Sequence, residues 1–158
     1  MEKKESGGWK RTASQLIFLL YLFALFYLLF FSENYGRTEI TEEYRYNLEF
    51  LREIRRFIRF HELLGMKMVL INLLGNVVAF IPFGFFLPVL WQDTAKLYRM
   101  LLLTLGFSLL IELVQLLYRV GTFDVDDLFL NTIGGLIGYA MWKISDFRRR
   151  RCMPGNKE

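Results

Sequence analysis

The chain has 158 residues, of which 54% are hydrophobic, 17% aromatic and 23% charged, with a net charge of +4. That apolar content excludes a disordered chain, and a single cysteine, Cys152, excludes a disulfide scaffold. The length allows one domain, but the apolar residues come in long blocks with the charges between them, which argues against an ordinary soluble one.

The first block, residues 16–31, holds no charged residue. With Ala13, Ser14 and Gln15 it makes about 30 Å of helix, the thickness of a bilayer core. Lys3, Lys4, Lys10 and Arg11 precede it like the basic start of a signal peptide. The block ends in Phe30-Phe31-Ser32-Glu33, however, with no small-residue cleavage pattern, so a retained span is expected. Residues 33–67 then form a connection long enough to need structure of its own. Within it, residues 47–60 have helical periodicity. Phe50, Leu51, Ile54, Phe57 and Ile58 share one face, and Glu49, Arg52, Glu53, Arg55, Arg56 and Arg59 the other. This predicts an amphipathic helix lying flat in the outer headgroup region, with docking to a partner as the alternative. His61, the only histidine, is expected to be a bystander.

The second block, 68–91, is uncharged but interrupted by Asn72, Asn76, Pro82 and Pro88. The prolines, with Gly84, predict a kink in its inner half. The third block, 100–118, carries a single acid, Glu112. The fourth, 128–144, contains Asn131 and Lys143. The expected fold is an all-α polytopic membrane protein, a bundle of four transmembrane helices plus the interfacial helix. Three segments follow: residues 1–43 with the first span, 44–143 as the membrane core, and 144–158 as a basic tail.

Orientation follows from the basic residues. With the N-terminus inside, the N-terminal segment, the 92–99 loop and the C-terminal end counted from Lys143 together hold 12 of the 20 Lys and Arg. Short loops rich in Lys and Arg stay cytoplasmic, so both termini are expected inside a cell membrane. The run 148–151 reads first as a positive-inside anchor, and binding to anionic lipid or nucleic acid is the weaker alternative.

Ionisable and amide groups inside spans are expensive. Ser108, Glu112, Gln115 and Arg119 stack on one face of the third span. Asn72 and Asn76 share a face near the outer end of the second, with Gly75 and Ala79 allowing close approach. Asp124, Asp126 and Asp127 lie at the mouth of the fourth, with Asn131 one turn inside. The topology brings Asn72, Asn76, Glu112, Gln115, Arg119, Asp127 and Asn131 to one depth, which predicts a polar pocket opening to the outer leaflet, with Ser108 and Asp124 also among its candidate ligand-binding residues. The competing reading is that these groups only satisfy one another, each hydrogen bond contributing about 1 kcal/mol. Gly134 and Gly138 form a GxxxG pattern, either a packing face or a surface for homo-oligomers.

These residues resemble a known pattern. Asn72-Leu-Leu-Gly-Asn76, Phe80-Ile-Pro-Phe-Gly84 and Pro88, followed by Ser108, Glu112-Leu-Val-Gln115, Arg119, Asp124, Asp126-Asp127-Leu, Asn131-Thr and Gly134, are similar to the signature of the VanZ-like family of small bacterial membrane proteins. The resemblance covers about residues 44–142. Tyr46-Asn47-Leu48 resembles the family's segment before the second span, but Phe50 stands where that pattern has proline, which suits a longer interfacial helix. The resemblance implies a membrane location and a link to the cell envelope through resistance to teicoplanin. It carries no catalytic residue.

Three functions fit. The first is a non-enzymatic envelope protein whose outer pocket takes a lipid headgroup, an envelope precursor or a lipoglycopeptide. The second is an enzyme on a lipid-linked precursor with Glu112 and Asp127 as acid and base, or with Glu112, Asp124 and Asp127 around a hard cation. It lacks a convincing nucleophile. The third is a channel or transporter subunit, for which no internal repeat is found. No cofactor, resident metal or nucleic-acid partner is expected. The bilayer itself is the first partner.

Overall fold

The computed structural model describes residues 5–31 and 44–152. Lys3 and Lys4, the loop residues 32–43 and Lys157, all of which bear on the expected topology, lie outside the described residues.

The described residues form six helices and one small strand pair: α1 (Glu5–Phe31), β1 (Tyr46–Asn47), α2 (Arg52–Arg59), α3 (His61–Leu64), α4 (Met66–Leu90), α5 (Leu97–Tyr118), β2 (Phe123–Asp124) and α6 (Val125–Cys152). A one-turn 3-10 helix, Gln92–Ala95, joins α4 to α5. Among the described residues three helices are long and apolar enough to cross a membrane, over Arg11–Phe31, Leu70–Leu90 and Leu97–Tyr118. The fourth expected span corresponds to α6, which is 28 residues long but falls short of them in apolarity. Asn131, Lys143 and Gly134, Gly135 and Gly138 dilute its apolar stretch.

The outer faces of these helices are apolar. Leu16, Leu20, Phe23 and Phe26 of α1 are each more than half exposed, a surface that water would penalise and lipid would not. The inner faces pack in two adjoining clusters. Phe18, Phe83, Leu87, Leu90, Met100 and Tyr139 form one. Leu25, Leu29, Phe80 and Ile111 form the other. Phe83 and Phe107 stack with ring centroids 4.6 Å apart, which joins α4 to α5.

The closest helix pair is α4 with α6, and small residues make it so. A side chain at Gly134 would strike the Val77 carbonyl, one at Gly138 the Ile81 carbonyl, and one at Gly84 the backbone of Gly135. Gly134 and Gly138, considered above as an oligomer surface, thus lie against α4 of their own chain. Backbones this close gain dispersion along the whole contact. α4 runs unbroken through Pro82 and Pro88. In the turn that Pro82 disturbs, the Ala79 carbonyl accepts the Tyr21 hydroxyl at 2.8 Å, fastening α1 to α4.

The segment between α1 and α4 departs from the expected single helix. The periodic stretch 47–60 is broken. Asn47 belongs to β1, which pairs in parallel with β2 in the register Tyr46–Phe123 and Asn47–Asp124. Leu51 then turns left-handed at φ 63°, and α2 starts only at Arg52. A sharp turn into the helix is therefore present without the proline, and what holds it is described next.

Candidate functional site: a buried polar cluster at one end of the bundle

The α5 face that carries polar residues turns fully inward. Thr104, Ser108, Glu112 and Gln115 are buried, and α4 contributes Asn76 and α6 Asn131. Ser108 is 0% exposed and Glu112 2%. Asn131 Nδ2 donates to Ser108 Oγ at 2.8 Å, joining α6 to α5. The Asn76 amide donates to the Asp127 carboxylate, joining α4 to α6. Gln115 Nε2 donates to the Leu29 carbonyl at 2.8 Å, joining α5 to α1. Five predicted site residues, Asn76, Ser108, Gln115, Asp127 and Asn131, thus act first as links between helices. The Oδ1 of Asn131 and the Oε1 of Gln115 accept no hydrogen bond among the described residues.

Acids organise the mouth. The Asp124 backbone N–H donates to Glu112 Oε2 at 3.0 Å. The Asp124 carboxylate caps α6, accepting the Asp126 N–H at 2.8 Å, as an N-cap residue does. It also accepts the Asn47 amide at 3.1 and 3.2 Å. Burial pushes the Asp124 carboxyl above its ordinary value. The neighbouring charges of Asp126 and Glu53 add to that rise, against the lowering effect of the Asp126 N–H and the Asn47 amide.

In the sequence, Asp126 stands out only as a member of an acidic run. It is 1% exposed, and its carboxylate receives the N–H groups of Leu51, of Glu53 at 2.9 Å and of Ile54 at 3.3 Å. These are the orphan donors at the start of α2. An acid in the first turn of α6 thus caps a helix some 70 residues earlier, and it holds the Leu51 turn in place. Asn47, equally absent from the predicted site, fixes the same loop by accepting the Glu49 N–H at 3.2 Å. Acids at a helix start are a readable signal, but their distant partners are not.

Asn72, Arg119 and Asp127 are only half buried, and each makes further contacts in the structure. Arg119 ends α5 in a left-handed conformation, with its guanidinium 4.6 Å from the centroid of the Tyr44 ring. All nine predicted residues therefore belong to one end of the bundle. Most are buried and mutually bonded, and three stand at the rim. Among the described residues no group of three or more His, Cys, Asp or Glu could hold a metal ion, so Glu112, Asp124 and Asp127 do not gather around a cation.

A family model described as VanZ/LLP1 matches residues 18–146, beginning inside α1 and so earlier than the motif-bearing stretch. Protein VanZ of Enterococcus faecium is 32% identical over 75 residues, which are 48% of this chain and 46% of that protein. The match thus spans about half the length of that curated relative. No solved structure matches the chain. The chain belongs to the VanZ/LLP1 family, and its apolar helices agree with a membrane protein.

Proposed function

We propose that this VanZ/LLP1 membrane protein crosses the bilayer four times with both termini cytoplasmic, and that the polar end of its bundle faces outward and lowers susceptibility to teicoplanin-type lipoglycopeptides. The fourth crossing is α6. At 28 residues it reaches about 42 Å, and the glycines that lower its hydropathy lie against other helices rather than lipid. The placement of Lys and Arg supports the orientation. α2, with Arg52, Arg55, Arg56 and Arg59 on its polar side and Phe57 buried, lies at the outer interface in this reading.

The observation that carries the site is Glu112. A carboxyl buried between membrane helices is costly, and packing alone does not require one. In this reading the ligand meets the half-buried rim of Asn72, Arg119 and Asp127, while Glu112, Asp124 and Asn131 hold that rim in shape. Arg119 suits an anionic or carbonyl-rich group, either a lipid headgroup, an envelope precursor or the lipoglycopeptide itself. Teicoplanin carries a fatty-acyl tail, which brings it to the outer leaflet where the rim lies. Glu112 and Asp127 would serve as acid and base only if freed from the Asp124 N–H and the Asn76 amide that occupy them.

The test compares teicoplanin with vancomycin, which lacks the tail, in a sensitive Gram-positive host. Empty vector, wild type, Glu112→Gln and Arg119→Gln are expressed at matched levels. Protection selective for teicoplanin and lost in both variants is the expected result. Equal susceptibility of all four strains removes the resistance role for this protein.

A further inference from the structure

We propose a second site, at the opposite end of the bundle from the polar cluster: a cleft between α4 and α6 that binds the phosphate headgroup of an anionic lipid. The cleft has a volume of about 410 Å³, within the range of roughly 300 to 1,000 Å³ of small-molecule pockets. One wall is the last turn of α4, with Phe85, Pro88 and Val89. The other wall is a single stripe of α6. Trp142, Ser145, Asp146, Arg149 and Arg150 line it, at helical offsets of three and four that place them on one face. Gln92, from the 3-10 turn, closes the end.

The chemistry is graded along the membrane normal. Phe85, Val89 and Trp142 supply an apolar and aromatic floor, and Gln92 and Ser145 supply hydrogen-bonding groups above it. Arg149 and Arg150 form the rim. Arg149 lies about 36 Å along α6 from Val125, beyond a hydrocarbon core of about 30 Å and at headgroup level. Trp142 falls about 26 Å along, near the interface where tryptophan is favoured. Asp146 accepts Arg150 Nε at 2.7 Å and so orients that guanidinium. Among the described residues Arg149 has no ion pair. The carbonyl end of α4 disfavours an anion deep in the cleft, so the phosphate belongs at the arginine rim and an acyl chain along Phe85 and Val89. Basic pockets between helices are a recurring form of anionic-lipid recognition.

The run of four arginines supplies its own control. Arg149 and Arg150 line the cleft, while Arg148 and Arg151 do not. Purified protein is mixed with phosphatidylglycerol or phosphatidylcholine, and retained lipid is counted by native mass spectrometry. The variants are Arg149→Gln/Arg150→Gln and Arg148→Gln/Arg151→Gln, which remove equal charge. Wild type is expected to retain phosphatidylglycerol in preference to phosphatidylcholine. The cleft double variant is expected to lose about tenfold more affinity than the control variant, as two charge-assisted phosphate contacts require. Because these arginines are exposed, both variants should elute as the wild type does. Equal losses in the two doubles, or equal retention of both lipids, would overturn the site. Inorganic phosphate is the remaining arm. If it displaces the lipid with the same arginine dependence, the cleft takes a soluble phosphate and the lipid assignment fails.

Discussion

Asp126 connects the start of α6 to the start of α2 by a single carboxylate. Three backbone N–H groups of the α2 entrance converge on it. Removing such a cap costs about 1 to 2 kcal/mol, and the loss should be local. In Asp126→Ala we expect the amides of Glu53 and Ile54 to exchange hydrogen about tenfold faster, with the α4–α6 contact unchanged. Unaltered protection of those amides in a folded variant would contradict the capping role. Asp124 makes a pH prediction. Its carboxyl is raised, chiefly by burial, so the folded state takes up the proton more readily than the unfolded one. The cost of its ionised form is fully present above the raised value and disappears as pH falls below the ordinary value of 3.8. Asp124→Asn keeps an oxygen for the Asp126 N–H and has no charge. Its thermal midpoint relative to wild type should therefore climb from about pH 4 to about pH 7, and a constant difference would argue against the burial effect. Of the site, the polar residues inside spans were legible because a polar side chain in an apolar run stands out. Asn47 and Asp126 were not, because the carboxylate that Asn47 binds and the N–H groups that Asp126 caps lie more than 70 residues away and no local periodicity records them.

Among the elements, the long helices were legible from uncharged runs alone, since about 20 apolar residues suit a membrane and little else. The segment between α1 and α4 was not. β1 and β2 are two residues each, too short for a period-2 pattern to register. The helical pattern of 47–60 continued across the Leu51 turn because periodicity says which residues share a face, not where a helix begins. The packing of α4 on α6 rests on glycine, and this gives a sharp contrast. Gly138→Leu forces a side chain into the Ile81 carbonyl. Overpacking of this kind costs about 1 to 3 kcal/mol or more, so the folded, monodisperse fraction in detergent should collapse. Gly106 of α5 has open space around it, and Gly106→Ala should leave that fraction unchanged. Matching losses in both variants would show that the α4–α6 contact has no special weight.

At the scale of the molecule, the count of crossings decides where everything else acts. Three crossings by α1, α4 and α5 would put the termini on opposite sides, and a fourth by α6 returns the C-terminus to the side of the N-terminus. Both arrangements agree with the apolarity of the first three helices. They differ in what α6 does with its length. Its start is fixed by Asp124 and Asp126 to the β1–β2 pair and α2, and its middle is locked along α4 by Gly134 and Gly138. In the proposed topology α6, held against α4 over that distance, follows it across the bilayer, since leaving the membrane midway would separate the two backbones. The single cysteine, Cys152, reports the outcome directly, because it ends α6. A membrane-impermeant maleimide should leave Cys152 unlabelled in intact cells and label it in inverted vesicles. Labelling in intact cells would place the end of α6 outside, against the cytoplasmic C-terminus and against the cytoplasmic side assigned to the Arg149–Arg150 cleft.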